Sequence, residues 1–264
     1  NYHNAYKPIF DGMTQWIADN REALDIRFVF HTGDVVGSWS SEDQWRQARE
    51  SMDILSSASI PFLAACGNHD IGYRMNYANF LKYVLSLRPA SMSQEYGDTG
   101  SRYELFSANG RDYIFMGIAF SNKGPSEDEV NWINGVLRQY SSRDAIIITH
   151  SYLKKSASYT TQGKAIFEKI VKANPNVFLV LCGHCRDISY KNVQLDDDGD
   201  GNPDRTVYAI LSNFQGGKAG GGGYMRILDF RDSDIYIYTY SPYYDSCEYP
   251  KYPKGKTEAT VPLP

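Results

Sequence analysis

Four short polar clusters, each placed directly after an apolar run, hold the residues of this 264-residue chain that could do chemistry. In chain order they supply Asp34, Asn68, His150 and His184. A carboxylate, an amide oxygen and two imidazoles suit a borderline divalent ion such as Mn, Fe or Zn, and they suit calcium poorly. A metal held in this way can activate water and neutralise phosphoryl oxygens. The four residues therefore predict a site for a divalent metal ion.

Gly67-Asn68-His69-Asp70 is the densest of these clusters. An amide, an imidazole and a carboxylate in consecutive positions could bind a ligand or transfer a proton. The same residue types favour turns, so this cluster taken alone is also compatible with a simple turn. Asp34 could likewise cap a helix, and His150 could be a hydrogen-bonded structural histidine. The recurrence of one design after four apolar runs favours a shared site over separate turns.

The apolar runs before the clusters are predicted to be strands, with amphipathic helices between them. The predicted helices cover residues 6–22, 40–56, 73–85, 126–140 and 163–172. A hairpin within residues 103–118 is predicted to turn at Asn109-Gly110. Open α/β sheets place their chemistry at the carboxyl ends of strands, where the clusters lie. Alternating strands and helices with an all-β end predict an α/β sandwich of two mixed β-sheets flanked by helices.

Composition limits the choice of partners and domains. The formal net charge of −4 provides no basic footprint for nucleic acid. No apolar stretch reaches the roughly 18 residues needed to cross a bilayer. No internal boundary is visible, so residues 1–249 are predicted to form a single domain. Residues 250–264, rich in Pro, Lys and Thr, are predicted to be a C-terminal tail or the beginning of a linker.

In their order along the chain, the four clusters resemble the motifs of the calcineurin-like metallophosphoesterase family. The resemblance rests on Gly33-Asp34, Gly67-Asn68-His69-Asp70, His150 and Gly183-His184, and residues 211–226 and 239–242 are similar to a bacterial, often secreted, subgroup. It implies a four-layer α/β/β/α sandwich and a phosphomono- or diesterase that uses a metal-activated water. The substrate would be a phosphorylated small molecule or a phosphodiester, and the protein would act outside the cell or at its surface.

The resemblance also implies a role for each matching residue. Asp34 would bridge two metal ions, and Asn68, His150 and His184 would complete the second metal site. His69 would lie near the phosphate and donate a proton to the leaving oxygen, with Asp70 orienting its imidazole.

Two departures from the family pattern bear on activity. The opening Asp-x-His motif and the strand that carries it have no counterpart, so the first strand of the fold is predicted to be missing. Arg186 stands where the last motif has its second His. Arg186 could hold a phosphate through bidentate hydrogen bonds, or it could be a surface arginine. One or two metal ions are therefore expected, and the alternative function is a catalytically degenerate ligand-binding or cell-wall-associated module.

A second cation site is possible in the acidic segment of residues 196–204. Asp196, Asp198, Asp200 and Asp204 alternate as in calcium loops. Position twelve of such a loop would be Val207, where an EF-hand needs a bidentate Glu. The residues on either side of the segment are predicted to form strands, whereas an EF-hand loop lies between helices. The segment is therefore either a metal-free acidic hairpin tip or a calcium-stiffened loop of an extracellular protein.

Overall fold

The computed structural model describes residues 6–87, 93–252 and 257–264 and contains six α-helices within these ranges. The helices are α1 (Lys7–Asp19), α2 (Glu42–Ser57), α3 (Asn68–Ile71), α4 (Ala78–Tyr83), α5 (Glu127–Gln139) and α6 (Thr161–Ile166). Serine caps begin two of the predicted helices: Ser41 accepts the backbone N–H of Gln44, and Ser126 accepts that of Glu129. Each cap satisfies a backbone donor that the first helical turn leaves free.

A seven-stranded mixed sheet forms the centre of the fold. Its strands are β3 (Ser93–Tyr96), β4 (Ser101–Ala108), β5 (Arg111–Ile118), β6 (Asp144–Thr149), β7 (Val177–Cys182), β8 (Ile188–Leu195) and β9 (Arg205–Ser212), in the order β3-β4-β5-β6-β7-β9-β8. The four central strands β5, β6, β7 and β9 are parallel, and β6 and β7 are apolar almost throughout because both of their faces are covered. The predicted hairpin is confirmed as β4–β5, with positive φ at Asn109 and Gly110.

The second layer consists of two smaller sheets. β1 (Val29–His31) and β2 (Phe62–Ala64) form a parallel pair, and β10 (Met225–Phe230), β11 (Asp234–Tyr240) and β12 (Ala259–Pro262) form an antiparallel sheet. Apolar residues of β2, β11 and β12 pack against those of β5, β6, β7 and β9 in one buried cluster. α1, α2 and α4 pack against the outer side of β1 and β2, and α5 and α6 cover the other face of the large sheet. The predicted mixed α/β sandwich is therefore confirmed, with its second sheet divided in two.

An apolar cavity of about 740 Å³ lies where β1 and β10 face each other without pairing. We call it the β1–β10 cavity. Its lining includes Phe28, Phe30, Ile227, Leu228, Met13 and Phe115. Within the described ranges β1 pairs only with β2 and β10 only with β11, so each keeps one unpaired edge beside the cavity. The absence of a first strand stays a prediction.

The predicted C-terminal tail differs from the structure. Residues 259–262 form β12, which pairs antiparallel with β11 through Val261 opposite Ile235. Val261 is buried in the inter-sheet core, because a strand must turn its apolar residues inward when one of its faces is covered. The tail prediction was wrong for these residues. Residues 253–256 of the predicted tail lie outside the described part of the chain.

No helix in the described parts of the chain is both long enough and apolar enough to cross a membrane.

Candidate metal centre

The four predicted ligands come together around the imidazole of His150. Its Nε2 atom lies 3.0 Å from Asn68 Oδ1, 3.1 Å from His184 Nδ1 and 3.3 Å from Asp34 Oδ2. Asp34 and Asn68 follow β1 and β2, and His150 and His184 follow β6 and β7. The centre therefore lies at the carboxyl ends of these four strands, where the two layers meet.

These contacts cannot all be hydrogen bonds. The other ring nitrogen of His150, Nδ1, lies 2.8 Å from the Thr32 carbonyl oxygen, which can only accept a hydrogen bond. A neutral His150 therefore carries its proton on Nδ1 and presents a lone pair at Nε2, next to the lone pairs of an amide oxygen and a carboxylate. A divalent cation would satisfy these lone pairs together, and the backbone carbonyl on Nδ1 is a usual support for a metal-binding histidine. The residues present thus fit a divalent metal ion.

Unusual backbone geometry brings the ligands this close. Asp34 has φ 57° and His184 has φ 64°, in the left-handed region that non-glycine residues rarely adopt. Such strain, of order 1 kcal/mol or more per residue, is typical of functional sites. A Cβ atom on Gly33 would lie 2.7 Å from His150 Nδ1, and one on Gly67 would lie 2.3 Å from Asp34 Oδ1. The two glycines therefore leave the space in which the ligands meet.

The electrostatics of the centre favour positive charge. Burial favours the neutral acid of Asp34, but the charge and hydrogen bond of His150 outweigh it, and the pKa of Asp34 is lowered. Burial likewise disfavours the imidazolium of His150, but the Asp34 carboxylate outweighs this effect and raises the pKa of His150. The pKa of His184 is lowered by its burial and by the neighbouring His150.

Asp70 supports the backbone of the site. Its two carboxylate oxygens accept the N–H groups of Gly67 at 2.7 Å and Val36 at 3.0 Å, and the side chain is fully buried. Burial, reinforced by the negative charge of Asp34, raises the pKa of Asp70 to about 7. The resemblance implied that Asp70 orients the His69 imidazole, and here the structure differs. Asp70 joins the loop after β1 to the loop after β2, because it bonds one N–H group in each.

His69 is exposed beside the four ligands. Its backbone N–H donates to Asp34 Oδ1 at 2.9 Å, and its Nδ1 lies 2.9 Å from the carbonyl oxygen of Gly37. The carbonyl therefore fixes the ring, with Nδ1 as the donor, and leaves Nε2 free to face a substrate.

Arg186 is exposed, and its aliphatic carbons lie beside Gly216. It lies two residues before β8, and it makes no contact with the four predicted ligands in the described part of the chain. Its role in holding phosphate stays a prediction.

Sequence reasoning missed His31, which lies in β1 three residues before Asp34. Its ring packs against Phe10, and it lines the β1–β10 cavity together with Asp34 and His150. Burial lowers the pKa of His31 to about 4, so the imidazole is neutral at physiological pH. The available signal was a single imidazole inside an otherwise apolar strand that leads to a ligand.

The structure brings three of the four aspartates of the acidic segment close together. Asp196, Asp198 and Asp204 each offer an oxygen within 4.8 Å of the others, and all three are exposed, whereas Asp200 is not part of this group. Asp196 already accepts the N–H groups of Gly199 and Gly201. The calcium loop stays a prediction.

A family model described as calcineurin-like phosphoesterase matches residues 3–185, and the chain belongs to this family. The fold is similar to that of a dimetal phosphatase from Danio rerio, with a TM-score of 0.61 and 12% identity over 97% of this chain and 88% of that one. The chain is also 41% identical to the uncharacterized protein YvnB of Bacillus subtilis (strain 168) over 248 residues. That match covers 92% of this chain and 19% of YvnB, so the chain spans about a fifth of its curated relative.

Proposed function

We propose that this chain is a metal-dependent hydrolase of phosphoester bonds. The observation that carries the proposal is the convergence of Asp34, Asn68 and His184 on Nε2 of His150, within 3.3 Å, in a chain of the calcineurin-like phosphoesterase family. A carboxylate, an amide and two imidazoles match a Mn, Fe or Zn ion better than calcium. When bound, such an ion supplies Lewis-acid stabilisation of phosphoryl charge and activation of water.

The protein's own residues supply position and protons. The Thr32 carbonyl holds His150 through Nδ1, so its Nε2 stays turned toward the other predicted ligands. Asp70 joins the two loops that carry Asp34 and Asn68, which keeps the ligand separation fixed. His69, exposed and supported by Gly37, would donate a proton to the leaving oxygen of the substrate.

The proposed substrate class is a phosphorylated small molecule or a phosphodiester, and the proposed location is outside the cell or at its surface. The net charge of −4 supports a small substrate over a nucleic-acid polymer, because it provides no basic surface for a polyanion.

Metal content and turnover, measured on the same preparations, test the proposal. Elemental analysis gives the metal per chain, and hydrolysis of p-nitrophenyl phosphate and bis-p-nitrophenyl phosphate is followed with added manganese. The variants are His150→Ala, which removes the central imidazole, and Asn192→Ala, an exposed position on the edge strand β8. We expect His150→Ala to lose metal and at least a hundredfold in kcat/KM, and Asn192→Ala to match the wild type.

The alternative outcome has a clear form. Arg186 in place of a second His favours a weakened centre. One metal ion or none per chain, with no turnover above that of His150→Ala, would contradict the hydrolase. The chain would then be a ligand-binding or wall-associated member of the family.

A further inference from the structure

A pair of aromatic side chains lies on the two segments that flank His69, the loop after β1 and the end of α3, and the proposed reaction does not account for it. Tyr73 is 79% exposed, the highest value among the large apolar side chains in the described ranges. It follows Gly72, at the end of α3, and its ring meets that of Trp39 edge-on, with centroids 6.5 Å apart and planes at 89°. We call Trp39 and Tyr73 the aromatic wall.

The Trp39 indole packs directly on the backbone of α3. A Cβ atom on Gly72 would lie 2.2 Å from Trp39 Nε1, and Gly72 has a φ of +61°, so both the space and the conformation require glycine. The Trp39 indole therefore occupies the space that a side chain at position 72 would need. Trp39 cannot move toward α3, and Tyr73 is the residue that directly follows Gly72.

The loop that carries Trp39 is fixed by three polar side chains. The Trp39 carbonyl accepts hydrogen bonds from Trp45 Nε1 at 2.8 Å and Asn79 Nδ2 at 3.0 Å. Two residues earlier, the N–H groups of Gly37 and Ser38 both donate to Oε1 of Gln44. A surface held in this way loses little freedom when it binds a ligand, which favours a preformed binding surface.

The aromatic wall is joined to the metal centre through His69. The imidazole of His69 bonds the Gly37 carbonyl, two residues before Trp39, and Tyr73 lies four residues after His69. The His69 N–H donates to Asp34. His69 and the aromatic wall therefore share the loop after β1 and the segment that begins with α3. The guanidinium of Arg74 lies over the Tyr73 ring, 5.5 Å from its centroid, and adds a positive charge there.

We propose that the aromatic wall of Trp39 and Tyr73 selects phosphoesters that carry a planar aromatic group next to the phosphoryl group, such as an aryl or nucleobase substituent. This inference rests on the proposed function and assigns its substrate class. An exposed tyrosine can stack on any planar aromatic group, since every flat ring offers a π-face. An edge-to-face partner such as Trp39 would support the Tyr73 ring while a second ring stacks against it.

Two phosphonates test the aromatic wall without requiring turnover. Benzylphosphonate and methylphosphonate share the anionic group and differ in the ring, and neither can be hydrolysed as an ester. Their binding to the manganese-loaded protein is measured by calorimetry, and by quenching of tryptophan fluorescence in wild type and Trp39→Phe. We expect benzylphosphonate to bind wild type about tenfold more tightly than methylphosphonate. The fluorescence change should be largely lost in Trp39→Phe.

The variants separate the ring from the fold. Tyr73→Ala should lose most of the preference for benzylphosphonate and keep its affinity for methylphosphonate, whereas Tyr73→Phe should keep both. Tyr243→Ala is the matched control, because Tyr243 is also exposed, at 55%, and lies against Gly223 on another turn. It should behave as wild type.

Two kinds of result would overturn the inference, and they differ in whether they also contradict the phosphoesterase proposal. Equal affinity of wild type for the two phosphonates, or an equal loss of both in Tyr73→Ala, would remove the aromatic wall and leave the phosphoesterase proposal standing. Failure of both phosphonates to bind the manganese-loaded protein would overturn both proposals together.

Discussion

At the scale of single residues, the metal centre depends on what is absent as much as on the ligands. Gly67 has ordinary extended backbone angles, so its glycine is not required by conformation. It is required by space, because a Cβ atom there would lie 2.3 Å from both the backbone nitrogen and Oδ1 of Asp34. The smallest side chain therefore collides with Asp34, a proposed metal ligand.

Gly67→Ala is expected to lower stability and metal affinity together. Displacing Asp34 strains a packed site, which typically costs about 1–3 kcal/mol. Urea unfolding gives the change in free energy of unfolding, and titration with Mn²⁺ gives the affinity. Gly12→Ala is the control, since its Cβ meets nothing within 4 Å on helix α1. It should raise stability by about 0.5–1 kcal/mol. An unchanged Gly67→Ala would show that Asp34 can move without cost.

The sequence singled out the four residues that meet at the proposed centre, but not the groups that support them. Asp34, Asn68, His150 and His184 are each recognisable as polar residues after apolar strands. The carbonyls of Thr32 and Gly37, which fix His150 and His69, are not recognisable. Every residue has a carbonyl, and only the three-dimensional fold decides which one comes within hydrogen-bond distance of a ring 118 positions away.

At the scale of elements, a buried carboxylate ties two distant segments to the strand that follows the last ligand. Oδ2 of Asp187 lies 2.8 Å from Lys155 Nζ and 3.1 Å from Lys251 Nζ, and Oδ1 accepts the N–H of Ile188. Burial favours the neutral acid, but Lys155, the Ile188 N–H and Lys251 outweigh it and lower the pKa of Asp187 from its ordinary 3.8. Asp187 thus links the segments of Lys155 and Lys251 to the start of β8, and this link depends on the charge of its carboxylate.

Asp187→Asn is expected to cost about 2 kcal/mol of stability at pH 7, since it removes two charged hydrogen bonds from a buried acceptor. A folded-state pKa below the unfolded value means that the wild-type carboxylate contributes fully above about pH 3.8. That contribution is lost as pH falls through the folded pKa. The difference between variant and wild type should therefore shrink below about pH 4, as followed by urea unfolding at several pH values.

The exposed pair of Glu168 and Lys172 provides the control for this link. Both side chains are nearly half exposed, so Glu168→Gln should change stability by less than about 0.5 kcal/mol at any pH. If Asp187→Asn were as stable as Glu168→Gln at pH 7, the ion pairs of Asp187 with the two lysines would not persist in solution, and the prediction would be wrong.

Elements whose sequence signals lie within the element itself could be predicted, and elements that depend on a distant partner could not. α2 and α5 could be predicted because cap and apolar spacing lie within each helix, and Trp45, Ala48, Met52 and Leu55 are all buried. The helix predicted over residues 73–85 is shorter, since α4 begins at Ala78, whose N–H bonds the side chain of Asn76. β12 was missed because its evidence lies in its partner β11, not in its own short sequence.

At the scale of the whole molecule, the layers explain the position of the metal centre. The four proposed ligands come from both layers, two after β1 and β2 and two after β6 and β7. The proposed centre therefore forms only when the sheets pack face to face. The layer order followed from the alternation of strands and helices and from the family resemblance. The division of the second layer into two sheets could not be predicted, because it depends on which strand edges remain unpaired.

The edge of β1 that pairs with no strand in the described ranges should be visible in hydrogen exchange. In this parallel pair Val29 donates its N–H to Pro61 at 3.0 Å, and Phe30 stands opposite Leu63 in the register. Successive peptide groups of a strand point to opposite sides, so the N–H of Phe30 points toward the β1–β10 cavity. Exchange measured by NMR should therefore be slow at Val29 and markedly faster at Phe30, the next residue of the same strand. Ile147 of β6, in the middle of the large sheet, serves as the fully protected reference. Equal protection at Val29 and Phe30 would mean that a segment pairs with β1 in solution, and the cavity would then be wrong as a description of the second layer.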